Sequence, residues 1–180
     1  MNREDDPTRK PADVPADEPA TDGSPDLFLW GQQDQHPSIT ALLKSSYQTQ
    51  KRLTALAKSL HRDIITLKQV RGRVNWQGHA WKWAVTYSHP AITRESPAAF
   101  AYLIPDPEQL KLVIPLNQEM IRNYKEASRL NRNEFLAEPI QKAVQPNEYA
   151  WPIWSITNKK QAYQLIRLAK WKLTLLTDNK

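Results

Sequence analysis

The sequence predicts an α+β fold: an antiparallel sheet of about five strands with helices packed on one face, preceded by a disordered N-terminal leader. Three observations predict it. Between Val70 and Leu116 the apolar residues recur at every second position in four short runs, the period of half-buried strands. Before and after that block they recur every three to four residues, the period of amphipathic helices. The first 26 residues have neither period.

Residues 1–26 hold Pro7, Pro11, Pro15, Pro19 and Pro25, with eight acids against three bases, a net charge of −5. Val14 is their only aliphatic side chain larger than Ala after Met1, so ordering them would bury too little apolar surface to offset the entropy lost. A solubilising tail is the expectation, and the alternative is an internal mimic of an anionic ligand that screens a basic domain. Residues 27–36 open with Leu27, Phe28, Leu29 and Trp30, an apolar arm expected to dock on the domain or, alternatively, to meet a partner. Residues 37–180 are expected to form a single domain.

From Pro37, Ile39, Leu42, Leu43, Tyr47, Leu53, Leu56 and Leu60 predict one helix to about His61, with Pro37 at its first position and Lys44, Gln48, Lys51, Arg52 and Lys58 towards solvent. Asp63 to Leu67 fits either helix or strand. Val70–Trp76 then separates Val70, Gly72, Val74 and Trp76 from Arg71, Arg73 and Asn75. Gln77-Gly78 reads as a turn, and Ala80–Tyr87 places Trp81, Trp83, Val85 and Tyr87 on one face, so a hairpin is predicted. After a loop over Ser88–Pro97, Ala98–Ile104 and Leu110–Leu116 make a second pair. Pro105 and Pro107 are expected outside its ladder, because proline has no N–H to donate. Asn117 suits the cap of a helix carrying Met120, Ile121, Tyr124 and Ala127. A polar break at Arg129–Asn133 leads to a second helical piece interrupted by Pro139. Tyr149–Ile156 is a fifth strand, at an edge because of Pro152. Thr157 or Asn158 caps a last helix whose core stripe is Ala162, Leu165, Ile166, Ala169, Leu173 and Leu176, with Lys159, Lys160, Arg167, Lys170 and Lys172 off that stripe.

The absences narrow the chemistry. Without Cys there is no disulfide, thiolate ligand or Cys nucleophile. Four Gly supply no phosphate-cradling loop or nucleophile elbow. His36, His61, His79 and His89 do not fall at metal-ligand spacings, and His79 and His89 bracket a strand from opposite ends. Glu119 and Glu126 lie on one helix face beside Arg122 and Lys125, the pattern of a solvated helix. Nothing here compels an enzyme, which stays as a third reading because no nucleophile and base pair can be named; no cofactor and no metal are expected. No apolar signal region and no window of roughly 20 apolar residues is present, which favours a cytoplasmic protein without membrane association.

Residues 27–180 hold 22 Lys and Arg against 11 Asp and Glu, a net of +11 that attracts polyanions. Bases interleave with aromatics on the first hairpin, the combination that single-stranded nucleic acid uses for charge neutralisation and stacking. The candidate binding residues are Arg71, Arg73, Trp76, Lys82, Trp83 and Lys111, joined by Lys159, Lys160, Arg167 and Lys170 on the last helix. The expected function is a binding module with a basic surface for an anionic partner, nucleic acid among the candidates. A protein-interaction or small-ligand domain with a Trp-lined pocket is the alternative, and the stripe Trp81, Trp83, Val85 and Tyr87 fits a core equally well.

The order of helix, strands around Asn75-Trp76-Gln77-Gly78, Ala99-Phe100-Ala101-Tyr102-Leu103 and Leu110-Lys111-Leu112-Val113-Ile114, helix, late strand and final helix resembles the YdhG-like bacterial domains of unknown function, over about residues 38–176. The resemblance implies an antiparallel sheet covered by helices on one face. The family's usual Trp-Gly-x-Pro segment is echoed by Trp76 and Gly78 with no Pro following. The iron-chaperone role described for some relatives needs an acidic patch and is not implied for a domain this basic.

Overall fold

The computed structural model describes residues 28–47, 50–92, 98–127, 133–145 and 148–178. The acidic leader and Leu27 lie outside them, as do most of the polar break before Asn133 and the second half of the loop before Ala98. In chain order the elements are α1 (Phe28–Gly31), α2 (Ile39–Ser45), α3 (Lys51–Ile65), β1 (Arg71–Trp76), β2 (Trp83–Ser88), β3 (Ala101–Pro105), β4 (Leu110–Val113), β5 (Leu116–Asn117), α4 (Gln118–Ala127), α5 (Glu134–Lys142), β6 (Tyr149–Ala150), β7 (Ile153–Ile156) and α6 (Lys159–Asp178). The α+β architecture holds: an antiparallel sheet in the order β1-β2-β3-β4-β7, with β5 and β6 as a separate pair.

The register aligns Val74, Val85, Leu103, Leu112 and Trp154 in one row across all five strands. The last four are fully buried, and onto this face pack Leu56, Leu60 and Ile64 of α3, Leu165, Leu168 and Ala169 of α6, Met120 and Ile121 of α4, and Leu136 and Ile140 of α5. On the other face a smaller cluster of Ala84, Tyr102, Ile104 and Val113 is closed by Trp81, Ala99 and Trp151. Trp30 of α1 packs against both clusters at the sheet margin.

Several local expectations change. The helix expected from Pro37 to His61 is two helices. Ser46 N–H and the Ser45 and Ser46 hydroxyls all donate to the Leu42 carbonyl, which ends α2, and Gln50 N–H turns back to Tyr47 O before α3 starts. Asp63–Ile65 continues α3. Pro105 lies within β3, paired with Leu110 at its last position, where no further ladder bond depends on it. Pro139 sits inside α5, which continues because Leu136 and Ile140 on either side are held in the core. The strand expected from Leu110 to Leu116 divides around Pro115, and the one expected from Tyr149 to Ile156 divides at Pro152. β7 is an edge strand. The caps form as expected: Met120 N–H donates to Asn117 Oδ1 at 2.8 Å and Gln161 N–H to Asn158 Oδ1 at 3.0 Å.

The largest departure is Lys172, which is 1% exposed rather than solvent-facing. Its Nζ donates to Phe100 O at 2.8 Å and Pro115 O at 2.6 Å, tying α6 to the chain entering β3 and the chain leaving β4. Burial pushes its pKa down to about 7. A neutral amine keeps two N–H donors, enough for both carbonyls, so deprotonation leaves the tie intact. Unfolded, the group titrates near ~10.4. Between those values the unfolded chain holds a proton that the folded chain has released, so stability rises with pH. Urea midpoints should therefore climb from about pH 7 towards 10, by at most roughly 1.4 kcal/mol per pH unit. Lys172→Met should flatten that rise. His61, whose pKa burial lowers, acts in the same direction at lower pH and would be unaffected by the substitution.

Candidate functional site

The expected site residues divide into four groups. Arg71 and Arg73 are exposed on the edge strand β1, on the sheet face opposite the helices, with Asn75 as their neighbour on that strand. Among the described residues nothing covers them, and they stand apart from the other candidates.

Lys82 and Lys111 are already engaged. Lys82 Nζ lies 4.3 Å from the centre of the Trp30 ring, a cation–π contact. Lys111 donates to Asp106 Oδ2 at 2.6 Å, with both side chains mostly buried, so its charge is matched within the fold.

The aromatics hold the sheet together. Trp83 is 4% exposed, and its Nε1–H donates to Gln32 O at 2.6 Å in the segment after α1. Trp76 meets it edge to face at 5.7 Å and is half-buried, while His36 covers the Trp83 ring from another side. Trp83 therefore cannot stack on a base, and the hairpin loses the interleaved surface suggested by its sequence.

Trp81 does not share the Trp83 face. The hairpin connection is longer than the expected Gln77-Gly78 turn: it runs from Gln77 to Lys82 and is closed by Gln77 N–H to Lys82 O and Lys82 N–H to Gly78 O. Gly78 has φ 81° and Lys82 φ 51°, both left-handed. That reversal at Lys82 breaks the alternation one residue before β2. Trp81 swings to the open side of the sheet, where it meets Tyr102 at 5.4 Å and Trp151 at 5.9 Å.

Arg167 and Lys170 are exposed on α6, on the far side of the helix layer. Here the structure adds cations of α2 and α3 that are not among the candidates expected from the sequence. α3 packs against both α2 and α6, and its exposed stripe runs Lys51, Ala55, Lys58, Arg62, Ile65. Lys44 of α2 joins Lys51, Thr54, Ala55 and Lys58 around a shallow depression of about 610 Å³. Lys159 and Lys160 extend the α6 contribution. Together α2, α3 and α6 expose Lys44, Lys51, Arg52, Lys58, Arg62, Lys159, Lys160, Arg167 and Lys170, while their only acids are Asp63 and Asp178. Asp63 is paired with Arg62 at 3.7 Å; no other cation of this set is in an ion pair among the described residues. The signal was present in the sequence as bases at helical spacing opposite the apolar stripe.

Among the described residues no three His, Asp or Glu side chains are grouped as a metal site, and no helix is long and apolar enough to cross a membrane. No family model matches the chain, and comparisons with curated proteins and with solved structures find no significant match.

The assignments separate in a stability measurement. Trp83→Ala should cost about 3–5 kcal/mol, as expected for an emptied aromatic core site. Arg71→Ala with Arg73→Ala should change stability by no more than about 0.5 kcal/mol, since both are exposed and unpaired in the fold. Chemical denaturation followed by circular dichroism would read both.

Proposed function

We propose that this domain is a non-enzymatic binding module that docks a polyanion on its helix layer, with nucleic acid the candidate best matched to it. The observation that carries the reading is the segregation of charge. Nine exposed cations on α2, α3 and α6 face two acids, one of them neutralised in place. The opposite sheet face contributes Arg71 and Arg73 separately.

Mobile, solvated cations on helix surfaces attract phosphates without shape matching, and binding then releases counterions. Such a surface fits a long anion better than a small ligand. The Trp residues favour a structural role over a lined pocket: Trp83 is buried, and Trp81 and Trp151 pack against Tyr102, the first edge-on and the second tilted.

Fluorescence anisotropy with a labelled oligonucleotide at ~50 mM salt tests the reading. Neutralising Lys51, Lys58, Arg167 and Lys170 to Gln should weaken binding at least tenfold. The slope of log affinity against log salt should shrink by about 3, since each contact to a single strand contributes roughly 0.7. Arg71→Gln with Arg73→Gln should weaken it much less. Binding that ignores salt, or that depends on the β1 pair as much as on the helices, would count against the helix layer.

A further inference from the structure

α6 turns one stripe to solvent along its length: Lys159 and Lys160, then Tyr163, Arg167, Lys170 and Thr174. Tyr163 is 65% exposed. The other large hydrophobic residues that are comparably open among the described ones are Ile65, Val144 and Ile153, none of them aromatic. Tyr163 stands one turn after Lys159 and Lys160 and one turn before Arg167, so cations flank its ring on both sides along the helix. From Lys160 to Lys170 the stripe spans about 15 Å at the helical rise of 1.5 Å per residue. No acid interrupts α6 before Asp178. Other aromatics have packing roles, for example Trp171 against Tyr124 at 5.9 Å, whereas no ring contact or hydrogen bond engages the Tyr163 side chain among the described residues.

A lone ring between cations fits one kind of polyanion better than others. Duplex nucleic acid keeps its bases stacked on one another and would use only the charges. A protein partner needs on the order of 800 Å² of contact on each side, with an apolar centre, and one isolated tyrosine supplies little of that. A single strand offers a phosphate for each cation and an unstacked base of about the size of the ring. We propose that the stripe Lys160, Tyr163, Arg167, Lys170 is a single-stranded nucleic-acid site in which Tyr163 stacks on a base and the three cations track the backbone. The proposal rests on the polyanion reading of the helix layer and adds to it the ligand class and the residue that selects it.

The test uses the full chain and four probes at ~50 mM salt: a 15-nucleotide oligothymidylate, a duplex of the same length, heparin and polyglutamate. Tyr163→Ala should weaken binding of the oligothymidylate about tenfold, within the range for loss of one stacked base. It should leave duplex and heparin binding unchanged. Tyr163→Phe keeps the π face and should bind like the parent chain. Both variants are surface changes, and a thermal melt confirms that they fold. Lys160→Gln with Arg167→Gln and Lys170→Gln should weaken oligothymidylate, duplex and heparin alike. If Tyr163→Ala binds the single strand as well as the parent chain does, or weakens every probe equally, stacking is ruled out while the polyanion reading stands. If duplex or polyglutamate binds more tightly than the single strand, the stripe serves a different anion and the proposal is overturned. A parent chain that binds none of the four removes the underlying reading as well.

Discussion

The structure depends on covering one face of its sheet. The row Val74, Val85, Leu103, Leu112 and Trp154 crosses every strand, and leaving it in water would forfeit roughly 1.5–3 kcal/mol per large side chain. α3 and α6 supply the cover, because each has an apolar stripe at helical spacing. That solution fixes the outside of the domain as well as the inside. Once Leu56, Leu60 and Ile64 of α3 and Leu165, Leu168 and Ala169 of α6 point inward, the helical repeat sends Lys58, Arg62, Arg167 and Lys170 outward, all to the same side. The basic face is thus a geometric consequence of how the hydrophobic core is closed.

Lys172 shows what an exception to that rule requires. A cation on the inner side of α6 needs acceptors already in place, and two strand-end carbonyls supply them. Among the described residues no carboxylate is hydrogen-bonded to it, so nothing offsets the desolvation of the ammonium, and burial lowers its pKa. The opposite sheet face is closed differently, by side chains alone. Tyr102, Trp81 and Trp151 cover the apolar patch between Arg73 on one edge and Ile153 on the other, and the Tyr102 hydroxyl accepts from Ala99 N–H at 3.0 Å.

The legible and illegible parts of the sequence differ for physical reasons. Period-2 and period-3.6 patterns report which way a regular element faces, so β1, the order of elements and the one-sided sheet were readable. The same patterns misplace residues wherever the backbone leaves regular geometry. Trp81 has the parity of Trp83, which predicts the same face, but a left-handed residue between them reverses the direction, and Lys82 is not a residue type that announces φ 51°. Lys172 lies off the apolar stripe of α6, and a lysine there ordinarily faces solvent. Its burial depends on carbonyls 57 and 72 residues away in the chain, which no local window contains. The break between α2 and α3 was obscured because apolar spacing continues across it, and only the serine hydroxyls at positions 45 and 46 hint at a stop.

Strand and helix geometry also decide where the exposed cations gather, on the helices and not on the hairpin. Interleaved bases and aromatics on a strand alternate between two faces of a sheet, so residues adjacent in sequence are separated in space, as Arg73 and Trp76 are. Bases at every third or fourth position of a helix converge on one stripe. Charges about 10 Å apart still act together at 0.1 M salt, where the screening length is of that order. Arg167 and Lys170 are within one turn of each other, and Lys160 is two turns before Arg167 at about 10 Å. On α4 and α5 both signs are mixed: Glu119 and Glu126 of α4 lie among Arg122 and Lys125, and Glu138 of α5 is bonded to Lys142. Their fields largely cancel within a screening length. Nine exposed cations against two acids leave α2, α3 and α6 with a net of +7, and a surface where like charges lie within one screening length is where an anion gains most from contact.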